Sequence, residues 1–449
     1  MMSDYDPSAR LALFPITARL QAEPGGQRLT IAGHDLAALA GEHGTPLYLY
    51  DQATLDASVA AYRTTLDTVY PAASGVTYAA KAFLCLAVAQ WAQARGLWLD
   101  CSGAGEIATA RAAGVAKESI VVHGINKSPV DLAAALVDAG TIVVDHPGEM
   151  ERLAALVAGG QHCPDLWLRL RPGVAVETHA YTQTGQSTSK FGMDAADIRR
   201  AVAFCLSRGL PLTGLHFHLG SHFHHPTEAN PAVDATLDLA AALADEYGWR
   251  PEVLCPGGGW GVPYHEDDLP HVPVEEYVTQ VTSHLADGCR RRGLPLPRLQ
   301  MEPGRSLVAR AGVALYRVGG TKQAGDRRWI LLDGGLVDNV RPALYGARYS
   351  ALPVSAPDRP SAGSAWLAGP YCESGDVLAS SLPLPDLASG ELLAMPVSGA
   401  YQLSMASNYT GARRPAVLWL AGGHAHLVRH REEVTDLYRQ DELLPADHF

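Results

Sequence analysis

The feature that most constrains this chain is a rhythm. Between residues 75 and 301, short apolar runs alternate with alanine-rich stretches of helical spacing. The runs lie at residues 75–80, 97–100, 120–123, 141–145, 166–170, 212–218, 253–254 and 299–301. Runs that are apolar on both faces, separated by helices, predict a parallel sheet covered on both sides. Eight strands before about residue 305 would close into a (β/α)8 TIM-like barrel, although an open doubly wound sheet fits the same pattern. After residue 299 the rhythm changes. Runs at 313–318, 329–332, 392–397 and 416–420 follow one another without helices, across turns rich in proline and serine such as 353–364. That predicts a separate antiparallel β domain. The expected fold class is therefore α/β plus β.

Composition narrows the function classes. The chain has 449 residues, with 35 basic and 47 acidic side chains, a formal charge of −12. An acidic chain with no basic run argues against nucleic acid or an anionic membrane as partner. No apolar stretch reaches the ~18 residues of a membrane span. The first ten residues carry early acids and no apolar run, so no secretory signal is expected. Seven scattered cysteines with no C-x-x-C pair argue against a zinc module or disulfide framework, and for a reducing, cytoplasmic setting.

Polar residues fall just after the strand candidates, the face on which barrel sites are built. Lys81 ends the run Tyr78-Ala79-Ala80 and precedes Ala82-Phe83-Leu84. An amine with apolar neighbours is costly to bury charged, so its pKa should fall, and a neutral amine is a Schiff-base nucleophile. A lysine snorkelling from a strand end would read the same way. The stretch His216 to His225 holds five histidines but no carboxylate or cysteine at ligand spacing, so no metal is expected. The turn Pro256-Gly257-Gly258-Gly259 lets backbone amides approach a phosphate, or is a plain tight turn. Glu302-Pro303-Gly304-Arg305 sets an acid and a base across a turn. The acid could meet a protonated ring nitrogen and the arginine an anion; a surface ion pair is the plainer account. Cys372 is a candidate proton donor or a small apolar filler.

Taken in order, these motifs resemble the fold-type III pyridoxal-phosphate decarboxylases from about Pro46 to Pro415. The match rests on Tyr78 to Phe83, Ser102-Gly103-Ala104-Gly105-Glu106, Gly124-Ile125-Asn126-Lys127-Ser128 and Ser189-Lys190-Phe191-Gly192. It continues through His218-Leu219-Gly220-Ser221, the triple glycine, Glu302 to Arg305, Arg341-Pro342-Ala343-Leu344-Tyr345, Cys372 to Asp376 and Gly399-Ala400-Tyr401. The resemblance implies a segment 1–45 that joins the β domain, a cofactor-binding barrel at 46–310 and a C-terminal β domain at 311–449. It implies a homodimer with shared sites, Cys372 and Glu373 reaching the partner's barrel. Pyridoxal 5'-phosphate is the implied cofactor. Lys81 would carry it, and His218 would stack on its ring. Glu302 would meet the ring nitrogen. Ser221, Gly257, Gly258, Gly259 and Tyr401 would hold the phosphate. Cys372 would return a proton.

Arg305, Arg341, Tyr345, Glu373 and Tyr401 would bind a small amino-acid substrate with a second carboxylate-bearing head. The implied reaction is decarboxylation of meso-2,6-diaminopimelate to L-lysine and CO2; a relative acting on another carboxylated amino acid or a siderophore or antibiotic intermediate is the alternative. Phe83, Ile125, His222 and Thr410 depart from the usual pattern. His222, with His224 and His225 beyond it, bears on the distal end of the substrate.

Overall fold

The computed structural model describes residues 5–174 and 184–448. The chain divides into two compact units, Leu55–Val262 with Pro270–Val308, and Met1–Thr54 with Pro263–Leu269 and Ala309–Phe449.

The first unit is built on a closed barrel of eight parallel strands: β1 (Ser74–Ala79), β2 (Trp98–Cys101), β3 (Ile120–Val122), β4 (Thr141–Val144), β5 (Asp165–Arg169), β6 (Leu212–His216), β7 (Val253–Gly257) and β8 (Arg298–Met301). β8 pairs with β1, and β5 with β6, so no edge remains. The strands are short and apolar because both faces are covered; every residue of β3 and β4 is buried. Val121, Val143, Trp167 and Cys255 fill the barrel interior. Gly214 makes room for Trp167, because a Cβ there would lie 2.6 Å from the indole.

Helices follow the strands, each begun by a local signal. Ser128 and Asp131 form a reciprocal capping box ahead of Pro129–Asp138. Asp194 caps Ala195–Arg208, which ends on left-handed Gly209. Val274–Arg291 buries Tyr277, Val278, Val281, Thr282 and Leu285, one stripe of a 3.6-residue period.

The second unit holds a nine-stranded sheet. Its main path runs Val377–Pro383, Ser364–Ala368, Arg327–Leu332, Gly312–Ala324, Leu47–Asp51, Ala416–Ala421, His424–Arg429. Leu47–Asp51, an all-buried run before the barrel in sequence, lies here, between Gly312–Ala324 and Ala416–Ala421. Two pairings are parallel, Leu47–Asp51 with Ala416–Ala421 and Arg327–Leu332 with Ser364–Ala368, so the sheet is mixed, with antiparallel pairs predominating. A three-stranded ribbon from residues 19–35 joins it through Leu29 N–H to Val354 O at 2.8 Å. Leu29 and Ile31 share one core with Phe14, Leu47, Val313, Leu352 and Leu418. No helix among the described residues is long and apolar enough to cross a membrane.

Candidate active site

All eight barrel strands end on, or run into, a residue with chemistry. Lys81 lies in the turn after β1, Asp100 near the end of β2, His123 after β3 and Asp145 after β4. Arg169 ends β5, His216 ends β6 with His218 just beyond, the glycines end β7, and Glu302 follows β8. Parallel strands start on one rim and finish on the other, so these side chains share a rim.

Lys81 departs from the expectation of a buried amine. Its neighbours Ala80 and Ala82 are buried, but its own side chain is exposed. The strand ends at Ala79, so the lysine leaves from a one-turn helix, where apolar sequence neighbours do not decide burial. Its charge reaches the site nonetheless. His218 is held well below the usual imidazole range by lost hydration first, and then by the Lys81 and Arg169 cations.

Glu302 is buried, and its oxygens are taken by two imidazoles: His123 Nε2 lies 3.0 Å from Oε1 and His216 Nε2 3.0 Å from Oε2. Burial would raise this carboxyl, but His123 and His216 outweigh it and hold it well below the ordinary range. Its backbone N–H donates to Gly257 O at 2.8 Å, tying the end of β8 to the glycine turn. That turn tolerates only glycine. Gly257 and Gly259 have φ of +71° and +114°, and a Cβ on Gly258 would lie 2.1 Å from Glu302 O. The next loop completes the corner. His222 N–H donates to Gly259 O at 2.8 Å, and Arg305 Nη2 donates to Ser221 Oγ at 2.8 Å.

His222 adopts φ +72°, and His224 Nδ1 pairs with His271 Nε2 at 2.9 Å. His225 caps a short helix reciprocally with Glu228.

Two other motifs are structural. Lys127 and Glu149, both fully buried, form an ion pair at 2.6 Å, and Lys127 also donates to Gly124 O and Val143 O. Asp145 accepts from Arg169 at 3.3 Å and from Gly192 N–H at 3.1 Å, while the Arg169 guanidinium stacks 4.5 Å from the Phe191 ring.

The remaining sequence candidates belong to the second unit. Arg341 is buried, its guanidinium 4.5 Å from the Tyr264 ring and hydrogen bonded to Tyr349 Oη. Burial works against its charge; Tyr264, Tyr349 and Tyr401 overcome that and raise its pKa. Tyr401 has φ +63° and is half-buried, as is Tyr345. Cys372 and Glu373 are exposed on a loop pinned by buried Asp376, whose carboxylate accepts from Tyr371 N–H at 2.9 Å and Leu336 N–H at 2.7 Å.

Residues 53–309 match the family described as "Pyridoxal-dependent decarboxylase, pyridoxal binding domain". The chain belongs to the pyridoxal-dependent decarboxylases. It is 40% identical to the diaminopimelate decarboxylase of Bacillus subtilis over 418 residues, 92% of this chain and 95% of that one. It is 39% identical to that of Actinosynnema pretiosum over 441 residues, 97% of each chain. Among solved structures, diaminopimelate decarboxylase from M. jannaschii in complex with L-lysine has a TM-score of 0.86 at 27% identity, covering 96% of this chain and 98% of that one.

The barrel of this decarboxylase fits its family's cofactor, pyridoxal phosphate. A turn with no space for a Cβ, beside a guanidinium and a hydroxyl, suits a phosphate dianion. A buried carboxylate suits a protonated ring nitrogen, and the Lys81 amine at the same rim suits an aldehyde.

The sequence reading missed His123, Asp100 and Arg169 as parts of this decarboxylase's rim. The signal was present, since each is a polar residue at or next to the end of an apolar run, the same criterion that singled out Lys81.

Proposed function

We propose that the decarboxylase converts meso-2,6-diaminopimelate to L-lysine and CO2, acting as a homodimer in the cytoplasm. The likeness to diaminopimelate decarboxylases over nearly the whole chain carries this reading. The seven cysteines are all unpaired, in keeping with a reducing compartment.

Pyridoxal phosphate, when bound, supplies the sink for the electron pair released as CO2 departs. This chain's residues then divide the work. Lys81 Nζ would hold the cofactor through its aldehyde and release it to the substrate amine. The Glu302 carboxylate would pair with the ring nitrogen and keep it protonated, which matters because a cationic ring accepts charge better. His218, kept neutral, offers a flat face for stacking. Ser221 and the amides of Gly257, Gly258 and Gly259 hold the phosphate, with Tyr401 as a further donor. Arg341, Arg305 and Tyr345 clamp the distal carboxylate, where a planar guanidinium gives two parallel hydrogen bonds. Glu373 takes the distal ammonium. The Cys372 thiol would supply the proton that replaces the lost CO2. Cys372 and Glu373 stand exposed on a pinned loop, as side chains meant for a partner's barrel would.

The test is CO2 release from purified, cofactor-loaded protein offered meso-diaminopimelate, lysine, ornithine or arginine. Turnover of meso-diaminopimelate alone is expected. Turnover of another amino acid with meso-diaminopimelate untouched would overturn the assignment.

A further inference from the structure

We propose that His123 and His216 are positioning residues for Glu302: two imidazoles that each donate an Nε2–H to one carboxylate oxygen, and so fix both its charge and its plane. The inference rests on the reading of Glu302 as partner of the cofactor's ring nitrogen.

The three side chains arrive from the ends of β3, β6 and β8, so no local turn imposes their meeting. Each oxygen has its own imidazole at 3.0 Å, and the rings stand edge to face, centroids 4.9 Å apart at 64°. A carboxylate oxygen can only accept, so each Nε2 must carry a hydrogen.

His216 is buried, and its Nδ1 has no hydrogen-bond partner among the described residues. A bare lone pair there is tolerable, whereas an imidazolium would leave a buried N–H unsatisfied. His216 is therefore the neutral Nε2–H tautomer. Burial agrees, lowering its pKa to about 4 although Glu302 acts to raise it. Other charges face the cluster. Asp100 Oδ1 lies 3.8 Å from His123 Nε2, and the Arg169 guanidinium and Cys255 thiol both feel the Glu302 charge.

The consequence is specific. Two N–H donors keep a buried carboxylate ionised where burial alone would neutralise it. The two histidines, one on each oxygen, decide where the carboxylate plane points. Without them the carboxyl would take up a proton, and the ring nitrogen would lose the anion that keeps it protonated.

The test uses holoenzyme loaded with pyridoxal phosphate labelled with 15N in the ring, read by NMR. In His216→Phe and His123→Phe the ring-nitrogen resonance should move toward the unprotonated position. His216→Gln, which restores an N–H donor, should move it back. The kcat of the phenylalanine variants should fall about 10- to 100-fold with KM little changed, the cost of a lost hydrogen bond to a charged group. Cofactor titration of apoprotein should show affinity weakened about tenfold. Glu302→Gln separates the two levels of the argument. If it moves the resonance and both phenylalanine variants leave it in place, the positioning role is lost and the reading of Glu302 stands. If Glu302→Gln itself leaves the resonance unmoved, the reading of Glu302 fails. The same three side chains place ligand atoms within 4.8 Å of one another. Stoichiometric uptake of Zn2+ by apoprotein, abolished in His216→Phe, would also overturn the proposal.

Discussion

Gly258→Ala isolates what the glycine turn contributes. The added methyl would sit 2.1 Å from Glu302 O and 2.8 Å from Glu302 C, both backbone atoms, while ordinary contact begins near 3.4 Å. The turn and the end of β8 must therefore separate by about 1 Å, since neither neighbour is a flexible side chain. That movement strains the Glu302 N–H to Gly257 O bond, now 2.8 Å, worth about 1 kcal/mol net, and adds overpacking of about 1–3 kcal/mol. A destabilisation of about 2–4 kcal/mol is expected. A 1 Å displacement of a binding group costs on the order of 100-fold in rate, so activity should fall further than stability alone explains. Urea unfolding of apoprotein reads the first effect; cofactor titration and CO2 release read the second. Gly41→Ala is the control: it lies in helix Leu36–His43 with no atom within 4 Å of an added Cβ, and should stabilise by about 0.5–1 kcal/mol. Gly258→Ala with unchanged stability and cofactor affinity would refute the steric argument.

Four further outcomes are expected. Lys81→Ala should abolish covalent attachment of the cofactor and CO2 release while leaving stability unchanged, whereas Lys127→Ala, which strands fully buried Glu149, should destabilise by about 3–5 kcal/mol; absorption spectra and urea unfolding distinguish them. Burial of Asp338 raises its pKa to about 6, although Tyr316, the Gly335 N–H and Tyr48 act to lower it, so the folded state holds this proton longer than the unfolded chain; its effect on stability is absent below about pH 4 and grows to a loss of about 3 kcal/mol as pH rises through 6. Asp338→Asn should flatten that part of the profile and be relatively more stable at pH 8 than at pH 4, measured by urea unfolding at both. Arg341→Gln should raise KM for meso-diaminopimelate more than it weakens cofactor binding, and equal losses would count against a distal clamp. Inactive Lys81→Ala and Cys372→Ala proteins, mixed and allowed to exchange subunits, should recover about a quarter of wild-type activity if sites are shared across a twofold dimer, and none if each chain is self-sufficient.

The barrel was legible because its strands are covered on both faces, which leaves eight apolar runs punctuated by helices. The second sheet was less so. Leu47–Asp51 is as apolar and buried as a barrel strand, and nothing local says it will pair with residues 312–315 and 416–420. Its partners lie more than 250 residues away, where periodicity carries no information. The two lysines show the same limit within the site. Apolar neighbours suggested burial at Lys81, which is exposed; Lys127 sits between Asn126 and Ser128, yet it is the buried one. In a loop the tertiary partner decides, and for Lys127 that is Glu149, on the helix Pro147–Ala158. The His216–Glu302 contact was likewise out of reach, since both residues were visible but their pairing depends on barrel closure.

The charges at the rim show why Glu302, among so many ionised groups, suits a charged ligand. Lys127 is closed on Glu149 and Arg169 on Asp145, each pair buried with its opposite charge. Glu302 is different in kind. The hydrogen bonds to its carboxylate come from the Cys255 thiol and two imidazoles, at least one of them neutral by the proton count at His216, so its charge is stabilised without being cancelled. A charge solvated by dipoles retains its field, whereas one neutralised by an ion pair has little left to offer a third group. Glu302 can thus meet a cation such as a protonated ring nitrogen. Replacing a neutral partner with an opposite charge should keep the fold and remove the field. His216→Lys, which sets an ammonium against Glu302, is expected to weaken cofactor binding more than His216→Gln does; the reverse order would show that hydrogen bonding alone, without the uncancelled charge, is what the site requires.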